Sequence, residues 1–171
     1  MKTEVELVPA TPDDAESIHQ MKYEAFLPLY EKYHDDETSP VKENIEKVIW
    51  QLTHPGAEYY LIQKDHKSIG AVRVKHSQKQ MDINCDQGVK YISPIFILPE
   101  YQNQGIGQEV IQKLFELYPN TLTWRLDTIK QEAGNCHLYE KCGFVKVGNE
   151  HVVNEHMTLI NYEKRAGGKE L

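Results

Sequence analysis

The sequence predicts an α/β (α+β) fold in a single domain. Apolar residues repeat with a period of two in some segments and of 3.6 in others. These segments follow the order βααβββαβαββ, which gives a mixed sheet of about seven strands with about four helices. No internal repeat or low-complexity linker divides the 171 residues, a length at which one sizeable core is expected. The domain is placed at residues 1–165, with 166–171 as a polar, frayed tail.

Residues 4–8, EVELV, alternate and predict the first strand. Thr11 then caps a helix, Pro12 suits its first turn, and Asp13 and Asp14 favour the positive end of its dipole. Ile18, Met21, Ala25 and Leu29 recur at helical spacing. Pro28 lacks an N–H and clashes with the preceding turn, so a break or kink is expected near Leu27. A second helix is expected from Ser39–Pro40, with Val41, Ile45, Val48, Ile49 and Leu52 as its apolar stripe and His54-Pro55-Gly56 as its stop. EYYLIQ and SIGAVRVKH flank the polar turn KDHK and read as a hairpin. QKQMDINCDQG reads as a loop. VKYISPIFIL is a long strand, and Pro94 inside it predicts a bulge or a lapse in pairing. A helix after Gly107 carries Val110, Ile111, Leu114, Phe115 and Tyr118. TLTWRLDT alternates as a strand, a short helix runs from about Gly134 to a cap at Gly143, and FVKVG and HMTLINY supply the last two strands.

Composition narrows the function classes. A net charge of -7, from 19 basic and 26 acidic residues with no run of Lys or Arg, argues against nucleic acid or an anionic membrane as partner. Three cysteines, Cys85, Cys136 and Cys142, are odd in number and lack CxxC spacing, so they read as free thiols in a reducing compartment. The start MKTEVELVPA has no apolar signal core, and no apolar run approaches the roughly 20 residues of a membrane span, so a cytoplasmic protein is expected. His151, His156, Cys136 and His137 lack the spacing of a metal site, and no metal is expected.

The chemistry concentrates in IFILPEYQNQGIGQEVIQKLF, where an apolar strand gives way to a glycine-bearing loop and then to a helix. A helix N-terminus leaves several N–H groups unpaired and carries partial positive charge. Glycines before it let the backbone curl its N–H groups inward around an anion. QNQGIG therefore reads either as a phosphate or pyrophosphate cradle or as a plain strand-to-helix turn that uses two glycines. A P-loop would need GKS or GKT, and a Rossmann fingerprint a third glycine early in a βαβ unit, and neither is present.

A second segment, NCHLYEKCGF, spans Asn135 to Phe144 after a strand, and it places Asn135 and Tyr139 on one helix face. Together the two segments resemble the GNAT superfamily of acyl-CoA-dependent N-acyltransferases. Gln102, Gly105 and Gly107 match that family's Q/R-x-x-G-x-G/A loop, while Asn135, Leu138, Tyr139, Glu140, Lys141, Gly143 and Phe144 match its second signature. The resemblance implies a single GNAT-like domain whose mostly antiparallel sheet splays between strands four and five. It implies acetyl-CoA as co-substrate and an amine, small or peptide-borne, as acceptor. The pyrophosphate of coenzyme A would lie on the backbone of Gln102, Asn103, Gln104, Gly105, Ile106 and Gly107. The pantetheine arm would pair with Phe96, Ile97 and Leu98, and Asn135 would hydrogen-bond it. Tyr139, whose phenol stays protonated at neutral pH, would serve the leaving sulfur. The fold commonly dimerises, which implies a homodimer as an available state.

The sequence departs from the family in one respect. Many members carry a carboxylate base on the fourth strand, and VKYISPIFIL has none. Tyr91, Ser93 and Asp127 stand at positions from which a water relay could run, and no base is assigned. The loop EKYHDDETSP between the first two helices would frame the acceptor. Its acidic run Asp35, Asp36 and Glu37 reads either as a steering surface for a cationic amine or as a solvated loop. Tyr23, Phe26, Tyr30 and Tyr33 form an aromatic stripe expected in the core. Two functions are compatible with these residues: an acetyltransferase acting on a primary amine by direct attack, and a catalytically silent module that binds or senses acyl-CoA.

Overall fold

The computed structural model describes residues 4–76 and 88–166. Most of the loop expected at QKQMDINCDQG, most of the tail and Cys85 lie outside the described residues. The elements are β1 Glu6–Pro9, α1 Ala15–Tyr33, α2 Ile45–Thr53, β2 Ala57–Lys64, β3 Lys67–His76, β4 Val89–Ile97, α3 Ile106–Leu117, β5 Thr123–Ile129, α4 Ala133–Lys141, β6 Val145–Asn154 and β7 Met157–Arg165. They reproduce the order read from the sequence. The seven strands form one sheet in the order β1-β2-β3-β4-β5-β7-β6. Every neighbouring pair is antiparallel except β4 with β5.

Helices cover both faces of the sheet. Ala15, Ile18, Met21 and Ala25 of α1 and Val48 of α2 pack on Tyr59, Leu61, Ala71, Phe96 and Leu98. On the other face, Ile106, Val110, Ile111 and Leu114 of α3 join Ile62, Ile69, Val72, Trp124 and Leu126. The alternation of β2 and β3 explains this division: neighbouring residues Leu61 and Ile62, or Ala71 and Val72, enter opposite cores. The four α3 side chains are at most 1% exposed, and burying each contributes about 1.5–3 kcal/mol.

Two expectations are corrected. The break near Leu27 does not occur, and α1 runs unbroken through Pro28 to Tyr33. A mid-helix proline costs about 3 kcal/mol, but the turns on either side are anchored. Met21 and Ala25 are buried before it. After it, the Tyr33 hydroxyl donates to Glu132 at 2.6 Å, and Asn154 Nδ2 donates to the Tyr33 carbonyl at 3.0 Å. His34 then ends the helix in the left-handed region (φ 52), with its N–H on the Tyr30 carbonyl at 2.7 Å. The second correction concerns Ser39–Pro40, which begins a single 3-10 turn, Pro40–Lys42. Helix α2 starts later, at Ile45, where the Asn44 side chain accepts from the Lys47 N–H.

If tertiary anchors keep α1 unbroken against the preference of Pro28, Pro28→Ala should restore a bond to the Glu24 carbonyl. The variant should gain about 1–3 kcal/mol, read as a higher urea midpoint at unchanged m. No gain would mean that the helix is shaped around its proline.

Candidate active site

Strands β4 and β5 pair at only three positions: Val89 with Thr123, Lys90 with Trp124 and Tyr91 with Arg125. Beyond Tyr91 they part. Val72 of β3 pairs with Ile95 and Val74 with Ile92, so Ser93 and Pro94 together stand opposite Arg73. This is the bulge expected at Pro94. The Ser93–Pro94 peptide is cis, and Arg73 Nη1 donates to the Ser93 carbonyl at 3.3 Å.

Past the bulge, the Leu98 N–H donates to the Ile69 carbonyl at 2.8 Å. Backbone polar groups alternate sides along a strand, so those of Phe96 and Leu98 face β3, and those of Ile95 and Ile97 face the gap. Of the three residues expected at the pantetheine arm, Phe96, Ile97 and Leu98, Ile97 thus turns its backbone to the opening. Phe96 and Leu98 place their side chains in the core beneath α1.

The loop after β4 is held by its own side chains. Gln102 Nε2 donates to the Ile97 carbonyl at 2.8 Å and Gln104 Nε2 to the Glu100 carbonyl at 3.2 Å. The Gln102 N–H is occupied by the Pro99 carbonyl at 3.2 Å. Asn103 (φ 62) and Gly105 (φ 83) both adopt the left-handed region, which curls the chain into α3. Among the described residues, no backbone bond engages the N–H groups of Asn103, Gln104 or Gly105. Those of Ile106, Gly107 and Gln108 open α3, where a helix offers no internal partner. Five of the six residues expected in the cradle therefore keep a free amide. The two glycines differ in role. A Cβ at Gly105 would meet nothing within 4 Å, so that position needs glycine for its backbone angle. A Cβ at Gly107 would come within 3.0 Å of Leu138, so glycine there lets α3 approach α4.

Helix α4 carries the second signature. Asn135 is exposed near its start, and Tyr139 is buried one turn later. The Tyr139 ring packs against Phe144 and Tyr162, with centroids 6.2 and 6.1 Å away. No hydrogen bond holds its hydroxyl among the described residues, and burial pushes its pKa up to about 12.

Two cavities occupy the gap. A cleft of about 570 Å³ runs along Ile95–Ile97, the loop from Gln102 to Gln108 and the outer face of α4. A pocket of about 240 Å³ lies on the other side, lined by residues of α1, the α1–α2 loop, the bulge, β5 and β7. The two share Phe26, Leu29, Ile95, Asn135 and Tyr139. Asn135 and Tyr139 thus stand where the cavities meet.

Ser93 and Asp127 line the smaller pocket, whereas Tyr91 receives Arg125 Nη1 at 3.4 Å. Surrounding protein raises the Asp127 carboxyl above its usual range, against the opposing pull of Lys75. The aromatic stripe is a core stripe only in part: Tyr33 is buried and Phe26 packs on the core beneath α1, yet both line this pocket with Tyr30, while Tyr23 is exposed. Nor is the acidic run a bare charged surface. Asp35 is buried and accepts from the Glu37 N–H at 3.0 Å, the Thr38 N–H at 2.9 Å and the Thr38 hydroxyl. Asp36 accepts from the Tyr30 hydroxyl at 2.6 Å and pairs with Lys42 at 3.5 Å.

Sequence reading missed one feature outright. Glu132, just before α4, accepts from Lys32 Nζ at 2.8 Å and the Tyr33 hydroxyl at 2.6 Å. This strut ties the end of α1 to the start of α4 beside the cleft. Nothing local signals it, because its partners lie 100 and 99 residues away.

With this geometry in place, comparison with known proteins is direct. Residues 16–144 match the model of the Acetyltransferase (GNAT) family, and the chain belongs to that family. It is 32% identical over 152 residues to the uncharacterized protein YrkN of Bacillus subtilis (strain 168), covering 86% of this chain and 78% of YrkN. The PaiA N-acetyltransferase of Thermoplasma acidophilum in complex with coenzyme A shares the fold (TM-score 0.74, 16% identity, 95% of this chain and 99% of that one). So does a spermidine N-acetyltransferase SpeG chimera from Vibrio cholerae and hSSAT (TM-score 0.71, 17% identity, 95% and 96%). Among the described residues, no cluster of three or more His, Cys, Asp or Glu could hold a metal, and no helix is long and apolar enough to cross a membrane.

The strut has a pH signature. Burial alone would push the Glu132 carboxyl up, but the hydrogen bonds from Lys32 and Tyr33 and the Lys32 charge outweigh it and hold the pKa low. A depressed carboxylate stabilises the fold above its ordinary pKa of about 4.3, and that contribution disappears as pH falls through the folded value. Glu132→Gln should therefore lower Tm at pH 7, and the gap to the parent should narrow in melts taken progressively below about pH 4.

Proposed function

We propose that this acetyltransferase moves an acetyl group from acetyl-CoA to a primary amine by direct attack within the gap between β4 and β5. One observation carries the reading. A long cleft floored by free amides and a smaller pocket meet at Asn135 and Tyr139. The cleft suits coenzyme A at both ends: the curled loop offers amides to a pyrophosphate, and the Ile95 backbone groups and the Ile97 N–H, which face the gap, offer strand-like partners to an amide-bearing arm. The free thiols Cys136 and Cys142 are consistent with a reducing, cytoplasmic setting.

Acetyl-CoA supplies an activated thioester. This chain's residues position it and manage one proton. The neutral amine attacks the carbonyl carbon, the carbon–sulfur bond breaks, and the sulfur leaves with the electron pair. Tyr139 holds a proton through neutral pH, because burial favours its uncharged form, and its hydroxyl is free to donate toward that sulfur. Asn135 orients the arm from the preceding turn of α4. The amine's own proton leaves toward the smaller pocket, where Ser93 and Asp127 reach the cavity.

Two substitutions test this reading. Gly105→Val forces a β-branched residue into the left-handed region and should weaken coenzyme A binding strongly in titration calorimetry on folded protein. Unchanged affinity would remove the cradle. Tyr139→Phe keeps the ring and should leave coenzyme A affinity near that of the parent while kcat falls at least about tenfold. Free-thiol release at saturating acetyl-CoA measures it. A kcat within twofold, with chemistry rate-limiting, would take Tyr139 out of the mechanism.

A further inference from the structure

The smaller pocket restricts what the acceptor can be, and this inference rests on the acetyltransfer reading above. Two carboxylates, Asp35 and Asp127, line the pocket, and Asp36, Glu37 and Glu132 lie outside its lining. Asp35 spends both oxygens on Glu37 and Thr38 and serves as a loop staple. Asp36 is taken by Tyr30 and Lys42. Glu132 is taken by Lys32 and Tyr33. Asp127 differs: it lines the pocket with no hydrogen bond or ion pair among the described residues, and Lys75 reaches it through its charge alone. The pocket therefore offers a single uncommitted anion. Phe26, Leu126, Met157 and Leu159 supply the apolar part of the wall, and Tyr30, Tyr33 and Thr128 add uncharged hydroxyls.

We propose that the acceptor is a small primary amine with one positive charge and an apolar side chain of about aromatic size. Asp127 receives its ammonium, and the wall from Phe26 to Leu159 takes the side chain. An ammonium is the form the amine has in water, and a lone carboxylate on the pocket lining recruits it and fixes its direction. The pocket volume of about 240 Å³ lies just under the roughly 300–1,000 Å³ of common ligand sites. That volume accommodates one group of about aromatic size. A polyamine would bring further ammonium groups to a lining with no second uncommitted carboxylate, where an unpaired charge is costly. A shared fold with spermidine N-acetyltransferases thus does not extend to their acceptor.

The test measures free-thiol release by the full chain with acetyl-CoA and a panel of amines: 2-phenylethylamine, isoamylamine, putrescine, spermidine and a short peptide with a free N-terminus. Coenzyme A binding is measured separately by calorimetry. The expected result is a kcat/KM for 2-phenylethylamine at least about tenfold above that for spermidine. Asp127→Asn should raise the KM for 2-phenylethylamine by about tenfold or more, as loss of a hydrogen bond to a charged group predicts. Its coenzyme A affinity and melting temperature should stay at parent values. Preference for spermidine, putrescine or the peptide on the unaltered chain would overturn the inference, as would a KM within twofold in the folded variant. In both cases the acetyltransferase reading would stand. Coenzyme A binding without transfer to any amine of the panel would also overturn it. Absence of both coenzyme A binding and thiol release would overturn the acetyltransferase reading, and this inference with it.

Discussion

The structure depends on a mismatch of one residue. Ser93 and Pro94 occupy the space opposite Arg73 that a regular strand would fill with a single residue. Up to that point β4 is an ordinary interior strand. Beyond it, β4 stays registered with β3 and leaves β5. The loss is confined to one edge, because β5 pairs with β7 along its whole length, from Thr123 with Arg165 to Ile129 with Leu159. The sheet thus gives up ladder bonds where a ligand can replace them. Unpaired strand amides are costly when dry, so the open edge at Ile95 and Ile97 is a region of weak local stability, and an amide-bearing ligand can satisfy it.

A gap of this kind needs closure at both ends, or the two halves of the sheet would move independently. At one end the closure is the short parallel ladder, reinforced by Arg125 on Tyr91 at 3.4 Å. At the other it is the strut from Lys32 and Tyr33 to Glu132, with Asn154 on the Tyr33 carbonyl. This second closure explains why α1 continues past Pro28. The last helical turn supplies both Tyr33 and Lys32, so a break at Leu27 would detach the strut. The helix is kept by its tertiary anchors against its own local preference.

The division between what the sequence discloses and what it hides follows from this arrangement. Local rules read well. The Thr11 cap, the hairpin around KDHK, the stripe of α3 and the bulge at Pro94 each depend on residues close in the chain. The cradle is legible because only certain residues tolerate left-handed angles, and Gly105 with Asn103 provides them. Side chains recruited from afar do not read at all. Phe26 and Tyr30 look like a core stripe at helical spacing, since nothing in α1 records that the sheet beyond is split. Asp35 and Asp36 look like a charged surface until the Thr38 and Tyr30 hydroxyls are seen to consume them.

The two halves of the site are also built from different materials, and this decides what kinship can transfer. On the reading proposed above, the donor side is mostly backbone: loop amides, a strand edge and a helix start. Backbone geometry survives wide sequence change, and at 16 to 17% identity the fold is still shared. The acceptor side is made of side chains from α1, the α1–α2 loop, β5 and β7, and each can change without disturbing the sheet. Likeness of fold is therefore silent on the acceptor. On the reading proposed above, acceptor choice follows from the side chains of this pocket, where Asp127 is the one lining carboxylate with no hydrogen bond or ion pair among the described residues.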